Sequence, residues 1–161
     1  MSFEFLSDSP QSTEELGCAI GTGAEPGLVV TLRGDLGAGK TLMTKGIARG
    51  LGVPHSRYVT SPTFTIHKSY KGRLALDHMD FYRLGDEGEL EDLGFDEVLG
   101  ANGVSVIEWP DRFFSYLGTD RLDIAIEVLE GDNRRLTFDW SGTVASKIGK
   151  SLIDQFNLRE A

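Results

Sequence analysis

The chain has 161 residues, of which 40% are apolar, and its 16 lysines and arginines stand against 25 aspartates and glutamates, for a net charge of −9. This length predicts a single domain, residues 1–161, with a core large enough to need no disulfide or structural metal. The acidic balance argues against a sequence-independent grip on the phosphates of DNA or RNA. The single cysteine, Cys18, excludes an internal disulfide framework and indicates a reducing compartment.

The N-terminal segment has no targeting character. Its first basic residue is Arg33, so the positive leader of a signal peptide is missing. No apolar run approaches the roughly 18 residues that a membrane-spanning helix needs. We therefore predict a cytoplasmic protein with no membrane partner.

The first half of the chain is predicted to alternate helices and strands. Ser12 and Glu15 have the Ser-x-x-Glu form of a capping box, which predicts a helix over 13–21 that ends at glycines. The further elements predicted from apolar periodicity and turn residues are a buried strand at 28–32, a helix at 42–51, and a hairpin that joins 64–70 to 73–80.

An acidic segment opens the second half. Between residues 86 and 97, seven of twelve residues are acidic and none is basic, which predicts short helices with an acidic outer face. That face is either merely solvated or part of a surface that meets partners, and the sequence leaves both possibilities open.

The remaining elements complete a mixed sheet. A buried strand is predicted at 104–107, followed by Glu108-Trp109-Pro110, where proline prevents its continuation. Alternating apolar residues at 122–128 and 136–140 predict an antiparallel hairpin, and residues 141–161 predict a C-terminal amphipathic helix. Buried parallel strands, helices and antiparallel hairpins together predict an α/β three-layer fold with a parallel core flanked by antiparallel strands.

Residues 34–41, GDLGAGKT, match the phosphate-binding loop G-x-x-x-x-G-K-[ST] in full. The glycines allow backbone N–H groups to turn onto phosphate oxygens, Lys40 supplies a cation for the β- and γ-phosphates, and the Thr41 hydroxyl is placed to bind Mg²⁺. The predicted strand before the loop and helix after it fit nucleotide binding. The nucleotide-binding residues predicted in this segment are Asp35, Leu36, Gly37, Ala38, Gly39, Lys40, Thr41 and Leu42.

Three carboxylates compete for the metal and for the attacking water. Glu108, Asp80 and Asp77 each follow an apolar strand, although any of them could be a helix cap or a surface acid. Glu108 is the best metal candidate on its own pattern. Ser61 and Thr63 lie in a polar stretch where a hydroxyl could reach a γ-phosphate or the metal, with a plain turn as an equal alternative.

Other candidate side chains carry weaker signals. His55, His67 and His78 show no metal-ligand spacing, so we predict surface or packed histidines. Trp109 could belong to the core, to an interface or to a lid over the site.

Five segments taken together closely resemble the TsaE (YjeE) family of small bacterial P-loop ATPases, which are needed to make threonylcarbamoyladenosine in tRNA. The segments are GDLGAGKT (34–41), SPTF (61–64), HMDFYRL (78–84), ELEDLG (89–94) and EWP (108–110). The likeness runs in order over about residues 5 to 140. The loop is common to many proteins, whereas the combination is specific.

The resemblance implies a P-loop core, ATP with Mg²⁺, and a complex with the partner proteins TsaB and TsaD, the second being the threonylcarbamoyl transferase. It implies that tRNA is met only through these partners, and that a slow, partner-dependent ATPase supports repeated turnover. Leu42 stands where many relatives carry a second hydroxyl, so its side chain receives no ligand role. The roles implied are catalytic for Lys40, Asp80 and Glu108, metal-binding for Thr41 and Glu108, switch-like for Ser61 and Thr63, and functional aromatic for Trp109.

Two other classes of protein share this phosphate-binding loop. A GTPase would need an Asn-Lys-x-Asp segment, which the sequence lacks. A small-molecule kinase remains the alternative, although it would need an arginine-rich lid and Arg134 and Arg135 are the only adjacent arginines. The chain offers no obvious arginine finger near the loop, and such a group can come from a partner, so we expect slow hydrolysis by the chain alone.

Overall fold

The computed structural model describes residues 1–55, 57–99 and 101–161. Over these residues the elements are β1 (Phe3–Ser7), α1 (Pro10–Gly23), β2 (Val29–Arg33), α2 (Lys40–Gly50), β3 (His67–Tyr70), β4 (Leu76–Asp80), α3 (Glu87–Asp92), α4 (Phe95–Val98), β5 (Val104–Glu108), β6 (Arg121–Val128), β7 (Arg134–Ser141), α5 (Thr143–Phe156) and β8 (Arg159–Glu160). The strands form one sheet, in the order β3-β4-β5-β2-β6-β7-β1-β8.

The sheet has a parallel centre and antiparallel flanks. Strands β4, β5, β2 and β6 run parallel to one another, and β3, β7, β1 and β8 add antiparallel pairs at the two sides. All five residues of β5 are buried, because a central parallel strand is covered on both faces. The predicted α/β fold with a mixed sheet is confirmed.

Helices or loops cover both faces of the sheet. Helices α1, α2 and α5 contribute Leu16, Ile47 and Ile148 to the larger apolar core on one face. On the other face, α3, α4 and the loop after β5 enclose a smaller core that contains Phe81 and Phe113. The domain therefore has the three predicted layers.

Helix α1 begins earlier than predicted. Ser9 occupies the N-cap, where its hydroxyl accepts a hydrogen bond from the Ser12 N–H at 3.1 Å, and Pro10 takes the first helical position. The predicted capping box at Ser12 is therefore wrong, because the proline at position 10 already favours a helix start there. Strand β1, for which no element was predicted, lies just before it.

The C-terminal segment is not helical throughout. Helix α5 ends at Phe156, and Asn157 adopts a left-handed conformation with φ of 52°. The chain then turns back, and Arg159 and Glu160 pair antiparallel with Glu4 and Phe3. The prediction of a helix over 141–161 is therefore wrong at both ends, since Ser141 still belongs to β7.

Glycines line the contact where helices α1 and α2 cross. Gly17 and Gly21 of α1 lie against Gly46 and Gly50 of α2, and a Cβ at any of the four would overlap backbone atoms of the other helix. Gly21 and Gly50 were predicted only as helix ends, yet these four glycines allow the two helices to cross at backbone contact. The crossing holds α2, and with it the loop at its N-terminus, against the rest of the domain.

Two surface properties complete the fold. All seven carboxylates of the acidic segment 86–97 are exposed on α3, α4 and the turns beside them, as the predicted acidic outer face requires. Among the residues described, no helix combines the length and apolarity needed to cross a membrane.

Candidate active site

The phosphate-binding loop joins the end of β2 to the start of α2, as predicted. Gly37 and Gly39 have φ of 82° and 117°, which residues with a Cβ rarely adopt. A Cβ at either position would meet nothing within 4 Å, so the backbone angle and not crowding requires glycine there. Because Gly39 is the N-cap and has no side chain, the first-turn N–H groups of α2 face an open cradle.

Lys40 is held inside this loop. Its side chain is only 5% exposed, and its ammonium donates hydrogen bonds to the carbonyl oxygens of Gly34 and, at 3.1 Å, Asp35. The ammonium also lies 4.2 Å from the centre of the Trp109 ring, within the range of a cation–π interaction. Burial lowers the pKa of Lys40, and nearby carboxylates, of which Glu108 acts most strongly, oppose this shift.

The two predicted catalytic carboxylates meet beside the loop. Asp80 and Glu108 are paired in register at the carboxyl ends of β4 and β5, and Glu108 is also paired with Leu32 of β2. Both are buried, at 2% and 3% exposure. The carboxyl ends of parallel strands form one edge of a sheet, so strand register brings these acids together with Lys40.

Asp77 lies elsewhere. Successive strand residues point to opposite faces, so Asp77 and Asp80 do not share a face of β4. The Asp77 carboxylate instead accepts a hydrogen bond from Ser69 at 3.0 Å and lies 2.8 Å from Nε2 of His67. Its alternative candidacy for the metal is not supported by this placement.

Asp80 anchors the switch-like segment. Its Oδ2 accepts hydrogen bonds from the hydroxyls of Ser61, at 3.3 Å, and Thr63, at 3.0 Å. Its Oδ1 accepts one from the Tyr82 N–H at 2.9 Å. The structure therefore brings the predicted Ser61 and Thr63 to the predicted acid, and both oxygens of that acid are engaged by the protein.

Glu108 makes a different contact. Its Oε2 lies 2.6 Å from Nε2 of His78, and the His78 side chain is fully buried. His78 was predicted as a surface or packed histidine without a link to the site. His78 lies two residues before Asp80 on β4 and so shares its face, and this spacing is the sequence signal that could have placed His78 at the site.

Trp109 follows Glu108 in a left-handed conformation, with φ of 57°. Its half-buried ring lies 5.1 Å from that of Tyr82 and also covers Lys40. Of the three predicted possibilities, core, interface and lid, this position beside the lysine fits a lid best. Thr41 and Leu42 lie half-buried in the first turn of α2.

Arg134 is a residue that sequence reasoning missed. From the start of β7 its Nε donates a hydrogen bond to the carbonyl oxygen of Ala38 at 3.1 Å. The β6–β7 hairpin folds back onto the loop and brings this arginine, which is distant in sequence, beside it. A cavity of about 120 Å³ opens at this contact, lined by Ser9, Pro10, Thr13, Gly37, Ala38, Gly39, Leu42, Asp132 and Arg134.

The oxygen atoms of Thr41 and Glu108 suit a hard cation such as Mg²⁺, which would also be coordinated by the phosphates of a bound nucleotide. Across the described ranges no group of three or more His, Cys, Asp or Glu side chains is arranged to hold a metal ion. Mg²⁺ in nucleotide sites usually takes only one or two protein oxygens and completes its shell with phosphates and water. Thr41 and Glu108 offer such a hydroxyl and such a carboxylate.

Comparisons with known proteins show the family and the fold of this chain. The family described as "Threonylcarbamoyl adenosine biosynthesis protein TsaE" matches residues 7–136. The chain is similar to proteins named "tRNA threonylcarbamoyladenosine biosynthesis protein TsaE" in Bacillus subtilis (strain 168), with 47% identity over 81% of this chain and 80% of that one, and in Treponema pallidum (strain Nichols), with 44% over 82% and 96%. A crystal structure of Bacillus subtilis YdiB superposes with a TM-score of 0.81 and 36% identity, over 96% of this chain and 95% of that one. The chain, with its phosphate-binding loop beside a buried pair of strand-end acids, belongs to the TsaE family.

Proposed function

We propose that this protein is a Mg²⁺-dependent ATPase of the cytoplasmic machinery that makes threonylcarbamoyladenosine in tRNA, and that it acts with TsaB and TsaD. One observation carries the proposal: in a chain of the TsaE family, a complete phosphate-binding loop that includes Lys40 lies beside the two acids Asp80 and Glu108. The relatives from Bacillus subtilis and Treponema pallidum are named for the biosynthesis of this modification. The tRNA is met through the partners, since the chain carries a net charge of −9.

ATP is bound by the loop 34–41. The open cradle at Gly37 and Gly39 gives backbone N–H groups access to the phosphates, and Lys40 adds a positive charge. To reach a phosphate, the Lys40 ammonium must leave the carbonyls of Gly34 and Asp35 that now hold it. In its present position the ammonium is also attracted by the ring of Trp109.

The nucleoside part of ATP is proposed to lie along the cavity beside the loop. Thr13 and Asp132 supply polar groups there, Leu42 supplies an apolar wall, and Arg134 fixes one side through its hydrogen bond to Ala38. This arrangement gives Leu42 a packing role, in agreement with the expectation that its side chain is not a ligand.

Asp80 and Glu108 are proposed to have different roles. Asp80 already accepts three hydrogen bonds from protein groups, so it suits the task of holding Ser61 and Thr63 near the γ-phosphate. Glu108 has one such bond, to His78, and would hold Mg²⁺ together with Thr41. The bound Mg²⁺ would neutralise negative charge that develops on the transferred phosphoryl group.

Hydrolysis by the isolated chain is proposed to be slow. Arg134 is occupied by the carbonyl of Ala38 and two carbonyls of its own turn, so it is not free to act on the γ-phosphate. A partner could supply the missing positive charge, which in other phosphate-loop enzymes accelerates hydrolysis by orders of magnitude.

The test is phosphate release from Mg·ATP by the purified chain, alone and with equimolar TsaB and TsaD. We expect slow release alone, marked acceleration by the partners, and loss of both in Lys40→Ala. The matched control is Lys45→Ala, which removes an exposed lysine from the same helix. Absence of acceleration would refute the partnership, and a phosphorylated small-molecule product in place of free phosphate would favour the kinase alternative.

A further inference from the structure

The pair His78–Glu108 is the most deeply buried ionisable contact beside the site. The His78 side chain has no exposed surface, and that of Glu108 is 3% exposed. Their polar atoms lie 2.6 Å apart across neighbouring parallel strands. His78 is in register with Val106, so its ring reaches two residues along β5 to meet Glu108.

The hydrogen bond has a defined direction. An ionised carboxylate offers only acceptor oxygens, so Nε2 of His78 must donate. The other ring nitrogen, Nδ1, is buried without a partner. The imidazole therefore makes its one side-chain hydrogen bond, within the part of the chain that the structure describes, to Glu108.

This bond limits how the carboxylate can turn. With Oε2 held on the strand side by His78, the Glu108 side chain loses freedom that a long, flexible acid would otherwise keep. Within the described residues no hydrogen bond engages the other oxygen, Oε1, and Glu108 stands at the strand end beside the loop and Lys40. Asp80 differs, because the protein engages both of its oxygens.

We propose that His78 is a positioning residue, which holds the Glu108 carboxylate by one oxygen so that the other can bind the Mg²⁺ of the nucleotide. This inference rests on the proposed function, since it concerns the same site. The buried N–H of His78 needs an acceptor, and the acceptor here is the acid proposed to bind the metal. Groups that orient a metal ligand in this way commonly change metal affinity by 10- to 100-fold when removed.

The experiment measures binding of the non-hydrolysable analogue AMP-PNP by calorimetry, with EDTA and over a series of Mg²⁺ concentrations. In His78→Leu we expect affinity in EDTA to stay near that of the wild type, and the Mg²⁺ concentration for half-maximal tightening to rise by about 10-fold. His78→Gln, whose amide nitrogen can replace Nε2 as donor, should recover most of the loss. His78→Asn should not recover the loss, because its shorter side chain places the donor near the position of Nδ1. If His78→Leu does not fold, the comparison of His78→Gln with His78→Asn provides the test.

Two controls separate positioning from packing. His67→Leu removes a histidine–carboxylate contact of 2.8 Å on the neighbouring strand, away from the loop, and should leave the Mg²⁺ dependence unchanged. In a Glu108→Ala background, His78→Leu should have no further effect, because His78 acts through Glu108.

Three results would overturn the inference: an unchanged Mg²⁺ dependence in the leucine and asparagine variants, an equal loss in the Glu108→Ala background, or an equal loss in His67→Leu. Failure of the wild type to bind AMP-PNP in either condition would instead refute the proposed function, and this inference with it.

Discussion

The crossing of α1 and α2 allows a sharp stability prediction at Gly21. A Cβ at this position would overlap the carbonyl oxygen of Ile47 and lie 3.0 Å from the Cα of Gly50. Both are backbone atoms, so no rotamer change can relieve the overlap. In Gly21→Ala the two helices must move apart, although the free energy of unfolding should gain about 1 kcal/mol from the better helix propensity of alanine.

The cost of this movement exceeds the gain. Small-to-large changes at packed positions cost about 1–3 kcal/mol, and a gap of about 0.5–1 Å forfeits a quarter to a half of each dispersion contact along the crossing. Because the obstacle is backbone along a whole helix pair, we take the upper end, about 3 kcal/mol. The net loss expected is about 2 kcal/mol, which for a chain of this size corresponds to about 4–8 °C in Tm.

Urea unfolding followed by circular dichroism provides the measurement, with Gly23→Ala as the matched control. A Cβ at Gly23 would meet only the end of the flexible Ile148 side chain at 3.2 Å, so this variant should be as stable as the wild type or slightly more stable. If Gly21→Ala were also as stable as the wild type, the argument that backbone contact fixes the position of α2 would be refuted.

Four further predictions concern the site. Lys40→Ala should weaken ATP binding by about 100-fold while circular dichroism shows an intact fold, because the ammonium is aimed at a ligand; unchanged affinity would exclude the loop assignment. Burial lowers the pKa of Lys40, so with rising pH the native state releases this proton before the unfolded chain does. The free energy of unfolding of the wild type should therefore rise, relative to that of Lys40→Met, as the pH approaches the ordinary lysine pKa of 10.5. Parallel pH profiles of the two proteins would contradict this. Glu108→Ala should reduce phosphate release far more than nucleotide affinity in EDTA; a full rate at ordinary Mg²⁺ would transfer the metal role to another acid. Asp80→Ala should speed amide hydrogen exchange over 61–63 by about 10-fold, since the two hydrogen bonds from this segment to Asp80 are lost; unchanged exchange would show that the segment is held by other contacts.

Much of the fold and of the site could be predicted from patterns of a few consecutive residues. The loop 34–41 follows from glycine spacing and the residues beside it, since positive φ at Gly37 and Gly39 is a property of a few consecutive residues. Strand β5 and its terminal Glu108 follow from an apolar run that ends in an acid. Such features need no knowledge of distant residues, and the structure has them where the sequence indicates.

Features at the chain ends and in the helix pair were not predictable in this way. Strand β1 is short and pairs with β7 and β8, which come from the far end of the chain. The spacing of Gly17 and Gly21, like that of Gly46 and Gly50, also fits helix ends and turns when read locally. Only the approach of α2 to α1 gives these glycines their packing role.

The sequence by itself determined that this chain has a nucleotide-binding loop, a mixed α/β sheet and acids at strand ends, because those depend on residue type and short-range spacing. The tertiary structure decided where each acid lies and which side chains it contacts. Strand register pairs Asp80 with Glu108 and turns Asp77 to the other face, and it places His78 within reach of Glu108, 30 residues away in sequence. The contact of Arg134 with Ala38 spans 96 residues. Side chains that are remote in sequence meet only when strand order, register and facing are all fixed, and those are properties of the whole packed sheet.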